Sequence, residues 1–308
     1  MSDVTTHAGT AEAVKYTRWQ SYRCAHHQLL SSSATAAVVF IHPIGVGLSG
    51  AFWQPLLQYC WTACDDGLPL SFFCPDLLGC GKSDMPNRAY YPIDWANQLS
   101  ALIVETIRQP VFVVVQGALL PVAVELVTQT AAAEQVKGLV LSGPPAWSLM
   151  TQATSPRQQR LSWNLLDSPL GWAFYRYARR RAFLASFSGR QLFAQEAEIP
   201  EAWLTMLTTG SADMASRHAV FSFLAGLWRQ GYGDAMARIP VPTLVAMGEA
   251  ASTIDRVAEG ARDQSRLADY LTHWPQARGV TLPGRNVLPY ESTAAFATAM
   301  LDFIHELL

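Results

Sequence analysis

Residues 110–127 (PVFVVVQGALLPVAVELV) constrain the fold of this chain more than any other stretch. Val111 to Val115 is a continuous run of β-branched and aromatic residues, which is typical of a strand buried on both faces. A glycine turn follows, and a helix is expected from about Ala118, with Pro121 in its first turn, where proline is tolerated. This order places the turn at the carboxyl edge of a parallel sheet, where α/β proteins carry their sites.

The turn is where we expect a nucleophile, yet the sequence has Gly117 there. Between Pro110 and Val127 there is no serine, threonine, cysteine or aspartate. The stretch therefore predicts the architecture of the protein more clearly than its activity.

The rest of the chain alternates predicted strands and helices. We expect strands at 37–41, 70–74, 136–141, 241–247 and 280–282, helices near 52–57, 93–108 and 293–307, and an antiparallel hairpin over 15–30. Alternation of this kind is typical of βαβ units. The predicted fold class is α/β, with a mostly parallel central sheet flanked by helices.

The strand pattern stops between about Ala146 and Arg238. This stretch is rich in aromatic residues and arginine. One helix is predicted to start at Ser168-Pro169 and another to span His218 to Gln230, closed by Gly231 and Gly233. We interpret residues 146–238 as an inserted helical cap, residues 15–145 and 239–308 as the core domain, and residues 1–14 as a flexible tail.

Composition excludes several function classes. Half of the residues are hydrophobic and the net charge is −2, which favours a large core and argues against nucleic acid as a partner. No apolar stretch is long enough to span a membrane. Five cysteines and no secretory signal predict a reduced, cytoplasmic location. Cys60 and Cys64 lack a second ligand pair, so we predict no metal site, and no cofactor either.

Four motifs resemble the α/β-hydrolase superfamily (AB hydrolase-1 type), and they come in that family's order. VVFIHPIGVG resembles its oxyanion strand and loop, and CPDLLGCGKSD its D-x-x-G-x-G-x-S loop. VPTLVAMGE resembles its strand ending in Gly-Glu, and LPGRNVLPYEST the loop that carries its histidine. The resemblance covers nearly the whole chain and implies an α/β-hydrolase fold with a helical cap. Fold alone does not give function.

The resemblance also implies where a Ser–Asp–His triad would lie. Aligned residue by residue, the nucleophile position falls on Gly117, the acid position on Ala251 and the histidine position on Val287. None of these side chains can attack, orient or accept a proton, so no catalytic residue is predicted. An oxyanion-like pocket is expected to remain, with backbone N–H donors among its residues, which are His42, Ile44, Gln116 and Ala118.

Other residues left alternatives open. His42 is a pocket residue or, as we favour, a residue that bonds local backbone. Asp76 is expected to bind backbone amides, and Cys80 to be an inert thiol rather than a stray nucleophile. Ser142 and Ser252 follow strand ends and are ligand contacts or ordinary turn residues.

Two groups of side chains in the predicted cap also allow two interpretations. The first is a basic membrane-surface helix or, as we favour, a solvated face, and comprises Arg176, Arg179, Arg180 and Arg181. The second group consists of aromatic side chains that either line a ligand cavity or pack in the core. It comprises Trp172, Phe221, Phe223 and Trp228.

Two functional hypotheses follow from the sequence. The first is a non-catalytic binder of an apolar small molecule, in an open pocket of about 300 Å³ beneath the cap, or an interaction module with a protein partner. The second is a hydrolase or lyase that acts on an apolar ester or pigment-like substrate through an unconventional site. Peripheral membrane contact is expected to be weak at most.

Overall fold

The computed structural model describes residues 14–63, 69–195, 199–252 and 263–308. The expected tail lies almost wholly outside these residues, and so does Cys64. Eight strands form one sheet: β1 Lys15–Trp19, β2 Tyr22–Leu29, β3 Ala36–Ile41, β4 Leu70–Pro75, β5 Val111–Gln116, β6 Val136–Ser142, β7 Thr243–Gly248 and β8 Ala277–Leu282.

The strand order in the sheet is β1-β2-β4-β3-β5-β6-β7-β8. β1 pairs with β2, and β2 with β4, in antiparallel fashion, whereas the remaining pairs are parallel. The predicted hairpin and the mostly parallel sheet are therefore confirmed. The central strands β3, β4, β5 and β7 are buried along their whole length, which explains their predominantly apolar sequences.

Thirteen α-helices are present among the described residues. They are α1 Gln54–Ala63, α2 Pro92–Ala101, α3 Leu120–Gln129, α4 Trp147–Thr151, α5 Pro156–Leu166, α6 Pro169–Ala178, α7 Arg181–Gln191, α8 Glu201–Gly210, α9 Arg217–Leu224, α10 Gly233–Ala237, α11 Asp263–His273, α12 Leu288–Glu291 and α13 Thr293–His305. Seven of them, α4 to α10, lie between β6 and β7. We call residues 147–237 the inserted helical segment; its described residues contain no strand.

Alternate residues of the buried strands divide between two apolar clusters on the two faces of the sheet. Val113 and Val115 belong to the cluster that includes residues of α2 and α3. Phe112 and Val114 belong to the cluster that includes residues of α1 and α13. This two-sided burial fixes the register of β5 and thereby the position of the turn that follows it.

Two predicted helices differ in the structure. The helix expected over 93–108 is regular only to Ala101, and residues 102–107 form a π-helical turn. The helix expected over 218–230 ends at Leu224, because Gly226 adopts a φ of +75° and Leu227 N–H donates to the Ser222 carbonyl at 3.2 Å. Such a closing bond across a left-handed glycine is a common helix terminus.

Two strands begin at residues other than those predicted. β7 starts at Thr243, because Pro242 has no N–H for the sheet ladder. β8 starts three residues earlier than expected, at Ala277, because this edge strand is only partly buried and its first residues do not show an apolar run. No helix among the described residues is long and apolar enough to cross a membrane.

Candidate functional site

The turn after β5 keeps a left-handed backbone at Gly117, with a φ of +60°. A short 3₁₀ turn, residues 117–119, then leads into α3. A Cβ atom added to Gly117 would meet the Gly143 carbonyl oxygen at 4.0 Å and nothing nearer. Space for a side chain therefore exists at this position, and glycine removes the strain that any other residue would carry there.

Hydrogen bonds bring the chain neighbours of Gly117, Ala251 and Val287 together. The Gln116 side-chain amide donates to the Asn286 carbonyl at 2.7 Å. The Ser252 N–H donates to Asn286 Oδ1 at 3.4 Å. Asn286 precedes Val287 in the chain, so the ends of β5 and β7 and the loop after β8 meet at one place.

The side chains at two of these positions are apolar and buried. Ala251 is 1% exposed and Val287 is 3% exposed. The Ala251 N–H donates to the Gly248 carbonyl at 3.0 Å, which closes a turn at the end of β7. Neither side chain can exchange a proton or orient an imidazole.

The hydroxyl groups beside the cleft are bonded to groups that are not bases. Ser142 Oγ donates to Gln116 Oε1 at 2.7 Å and is fully buried. Ser252 Oγ accepts from Arg285 Nε at 2.5 Å. An amide and a guanidinium cannot take a proton from a hydroxyl at neutral pH, so neither serine is activated in this arrangement.

His42 is buried and bonded to local backbone at both ring nitrogens. Its Nε2 accepts the Leu77 N–H at 3.0 Å, which leaves Nδ1 as the donor to the Pro43 carbonyl at 2.8 Å. Burial lowers the pKa of His42, although Asp76 opposes this shift. The ring shapes the loop after β3 and has no nitrogen free to act as a base.

Asp76 and Cys80 behave as structural residues. The Asp76 carboxylate accepts the N–H groups of Gly50 at 2.8 Å and Lys82 at 2.7 Å, as predicted. Burial raises the pKa of the Cys80 thiol well above its usual range. A thiol that resists deprotonation is a poor nucleophile.

Two backbone donors remain at the carboxyl edge of the sheet. Ile41 and Val115 are paired on the neighbouring strands β3 and β5. Ile44 and Ala118 each follow their paired residue by the same number of positions. Among the described residues the Ile44 N–H makes no turn or loop hydrogen bond to backbone, and Ala118 lies in the 3₁₀ turn that leads into α3. These are the two donors that the sequence predicts for an oxyanion-like pocket.

The loop after β8 is bonded to the inserted helical segment at the end of α7. Arg285 Nη1 donates to the Arg190 carbonyl at 2.7 Å. Asn286 Nδ2 donates to the Gln191 carbonyl at 2.8 Å. The polar side chains of this loop therefore hold a helix end, and none of them is directed to proton transfer.

Glu291 completes this connection. Its carboxylate accepts the N–H groups of Arg285 at 2.9 Å, Val287 at 3.2 Å and Ala194 at 2.6 Å. Three charge-assisted bonds fix the loop that contains Val287 against the chain that follows α7.

Helix α8 lies in direct backbone contact with the loop after β3. A Cβ atom added to Gly47 would lie 1.9 Å from the Leu207 carbonyl oxygen, and one added to Gly210 would lie 2.1 Å from the Gly47 carbonyl oxygen. The ring of Trp203, on the same helix, packs on Phe52 and Tyr290 of the core at 6.0 and 4.8 Å between centroids. The inserted helical segment is therefore packed closely against the loop after β3 and the core residues beside it.

Two open cavities on the surface of the described residues lie away from Gly117. One, of about 270 Å³, is lined by Trp19, Asn97 and their neighbours, and one of about 280 Å³ is lined by Gln28, Phe73 and theirs. Neither contains Gly117 or a residue of the inserted helical segment. The pocket of about 300 Å³ that we expected above Gly117 is not one of them.

Comparison with known families identifies the fold. A model described as the alpha/beta hydrolase family matches residues 38–299. The chain belongs to the alpha/beta hydrolase family. Its eight-stranded sheet and helices match those of solved structures over nearly the full length, so the predicted hydrolase fold is confirmed.

Solved structures similar to this hydrolase-family chain have low sequence identity. Cfl2 from Burkholderia cenocepacia aligns with a TM-score of 0.71 and 16% identity, covering 94% of this chain and 95% of that one. A thermophilic esterase from Thermogutta terrifontis gives 0.69 and 15%, covering 96% and 99%. A thioesterase domain from the curacin biosynthetic pathway gives 0.67 and 18%, covering 94% and 99%. A search of curated proteins gave no significant match.

The contacts of Arg285, Asn286 and Glu291 were not foreseen from the sequence of this hydrolase-family chain. The sequence did contain an indication of these contacts, because three polar residues lie close to Val287, the position predicted for the family's histidine. Their contacts with the end of α7 and with Ala194 are to backbone groups about 95 positions away, and residue type alone does not reveal such partners.

Buried histidines predict a loss of stability in mild acid. Desolvation lowers the pKa of His26, His42 and His218 below the ordinary value of 6.5. Between the pKa in the folded state and 6.5, the unfolded chain binds more protons than the folded protein. The contribution of these histidines to the free energy of unfolding is therefore fully present above about pH 6.5 and is lost as the pH decreases.

We expect the urea midpoint to fall between pH 7.5 and pH 5, because the free energy of unfolding decreases by about 1.4 kcal/mol for each unit of pKa shift. His26→Phe should reduce this fall, whereas substitution of the exposed His305 by glutamine should leave it unchanged. A midpoint that is constant or rises in acid would contradict the assignment.

Proposed function

We propose that this alpha/beta hydrolase family protein does not act through a Ser–Asp–His triad and that its role is binding. The observation that carries the proposal is Gly117, which occupies the left-handed turn after β5 where the family's nucleophile is expected. Ala251 and Val287 are the proposed positions of the missing acid and histidine. His42, Ile44, Gln116 and Ala118 are the proposed remnant of the oxyanion site.

The chemistry of the cleft supports this proposal. A serine hydroxyl is a weak nucleophile and needs a base within about 3 Å that is itself oriented by a third group. The hydroxyls of Ser142 and Ser252 lie beside the cleft, and their partners are an amide and a guanidinium. An oxyanion site without a triad retains at most ~10³–10⁴-fold catalysis over water in a studied serine protease.

We further propose that residues 146–238 act as a closed cap over the core. The backbone contact between Gly47 and Leu207, and the bonds of Asn286 to the end of α7, support closure. Because the two cavities described above lie away from the cap, we propose an interaction module in preference to a binder of an apolar small molecule. A cytoplasmic location stays a prediction from the cysteine content.

A second candidate function is hydrolysis of an apolar ester. The comparisons support it more directly than they support a binding role, because solved structures similar to this chain include an esterase, a thioesterase domain and a serine hydrolase involved in carbazole degradation. This candidate requires a nucleophile and a base outside the usual positions. Ser142 and Ser252 are the first serines to test for such a mechanism.

Steady-state hydrolysis separates the two candidates. We expect the rates with short-chain and long-chain aryl esters and with an acyl thioester to equal the buffer background. Hydrolysis above background that is lost in Ser142→Ala or Ser252→Ala, but kept in the control Ser33→Ala, would overturn the binding proposal and establish the second candidate.

A further inference from the structure

Helices α5 and α6 expose large apolar side chains on the surface of the inserted helical segment. Leu161 and Leu165 of α5 are 71% and 61% exposed, and Leu170 of α6 is 72% exposed. Leu161 and Leu165 are four residues apart, so they lie on one face of α5. Leu170, Phe174 and Tyr177 follow the same spacing rule along α6, and all three are exposed.

The opposite faces of these helices already have partners. Tyr175 of α6 is fully buried, packs with Val220 and Phe221, and has Trp163 and Leu166 of α5 against it. The exposed leucines are therefore not needed to attach the helices to the protein. Their exposure costs solubility and has no compensating role in the core.

Positive charge is concentrated on α5, α6 and the helix that follows them, α7. Residues 156–190 contain seven arginines and one acidic residue, Asp167, whereas the rest of the chain has 15 basic and 23 acidic residues. Among the described residues, Arg181 is the one of these seven that pairs with a carboxylate, that of Glu201. The other six have no carboxylate partner there, namely Arg157, Arg160, Arg176, Arg179, Arg180 and Arg190. A positive surface on a protein of negative net charge indicates an anionic partner.

The aromatic residues of α6 hold two of these arginines. The Arg176 guanidinium lies 5.3 Å from the Trp172 ring centroid, and the Arg180 guanidinium lies 5.5 Å from that of Tyr177. Tryptophan and tyrosine beside arginine are typical of side chains that lie at the level of lipid headgroups.

We propose that the surface formed by α5 and α6 docks on a bilayer that contains anionic lipids. The leucines and Phe174 would enter the acyl boundary, while the arginines contact the headgroup phosphates. Leucines this exposed suit insertion into lipid better than a protein interface, where anchoring side chains fill pockets in well-packed patches. The sequence alone favoured a solvated face, because the arginines of α6 scatter around its axis; the exposed leucines of α5 change that balance.

Vesicle co-sedimentation tests this proposal. We expect the protein to bind vesicles of phosphatidylcholine with 30% phosphatidylglycerol, to bind pure phosphatidylcholine much less, and to dissociate at high salt. Removal of one arginine should weaken binding about fivefold, so the triple variant Arg157→Gln/Arg160→Gln/Arg176→Gln should lose about 10²-fold. Leu161→Ser/Leu165→Ser should weaken binding by at least tenfold.

Matched controls use residues with the same chemistry elsewhere. Leu30→Ser and Arg18→Gln change exposed residues in and directly after the β1–β2 hairpin, at the edge of the sheet, and should leave vesicle binding unchanged. Binding that is absent with anionic vesicles, or that falls equally in the control variants, would overturn the proposal. So would concentration-dependent self-association in light scattering that Leu161→Ser/Leu165→Ser abolishes, since the surface would then be an interface between copies of the chain.

Discussion

Substitution of Gly47 by alanine is expected to destabilise the protein by about 3–5 kcal/mol. The added Cβ would lie 1.9 Å from the Leu207 carbonyl oxygen. The position of the Cβ is fixed by the Gly47 backbone and the oxygen belongs to the backbone of α8, so neither atom can rotate away. Gly47 also has a φ of +81°, which costs an L-residue about 1–3 kcal/mol. Urea unfolding monitored by far-UV circular dichroism measures the loss.

Gly45→Ala is the matched control for this substitution. Gly45 lies two residues away on the same loop, and its added Cβ would meet only the flexible end of the Leu48 side chain, at 2.8 Å. We expect a cost below about 1 kcal/mol, because a side-chain end can rotate away. Equal effects of the two substitutions would show that α8 does not lie on Gly47 as described.

Substitution of Trp203 by alanine is expected to cost about 3–5 kcal/mol. Its ring is almost fully buried and packs at 5.3 Å on Phe193 and 4.8 Å on Tyr290, and its Nε1 donates to Ser188 Oγ at 2.9 Å. The substitution leaves a cavity between α8 and the core, so a hydrophobic dye should bind the variant better than the parent protein. Urea unfolding and dye fluorescence measure the two effects.

Trp61→Ala provides the comparison for this experiment. Trp61 is 37% exposed on α1, so its removal should cost less than about 1 kcal/mol and create no dye site. If the two tryptophan substitutions destabilise the protein equally, Trp203 does not join the inserted helical segment to the core.

The fold could be predicted from the sequence because strand composition and motif order both pointed to it. The run from Val111 to Val115 is buried on both faces, and that requirement leaves few alternatives. Helix ends were less predictable. Leu224 ends α9 because Gly226 takes a left-handed conformation, whereas the apolar pattern continues to Trp228.

The candidate site could be located from the sequence, but its contacts could not. The resemblance pointed to Gly117, Ala251 and Val287, and the structure places their chain neighbours within hydrogen-bond distance of Asn286. Whether a cleft stays open depends on the packing of side chains far apart in sequence. The contact between α8 and Gly47 joins Leu207 to a residue 160 positions earlier in the chain. The sequence pattern around either residue does not predict such a contact.

Covalent labelling tests the absence of an activated nucleophile most directly. The intact mass of the protein would be measured after incubation with a fluorophosphonate, beside an active serine hydrolase and the variant Gly117→Ser. We predict no adduct on the parent protein, and none on Gly117→Ser, because that variant gains a hydroxyl without gaining a base. An adduct mapped to Ser142, Ser252 or another serine of the parent protein, or to position 117 of the variant, would contradict the account.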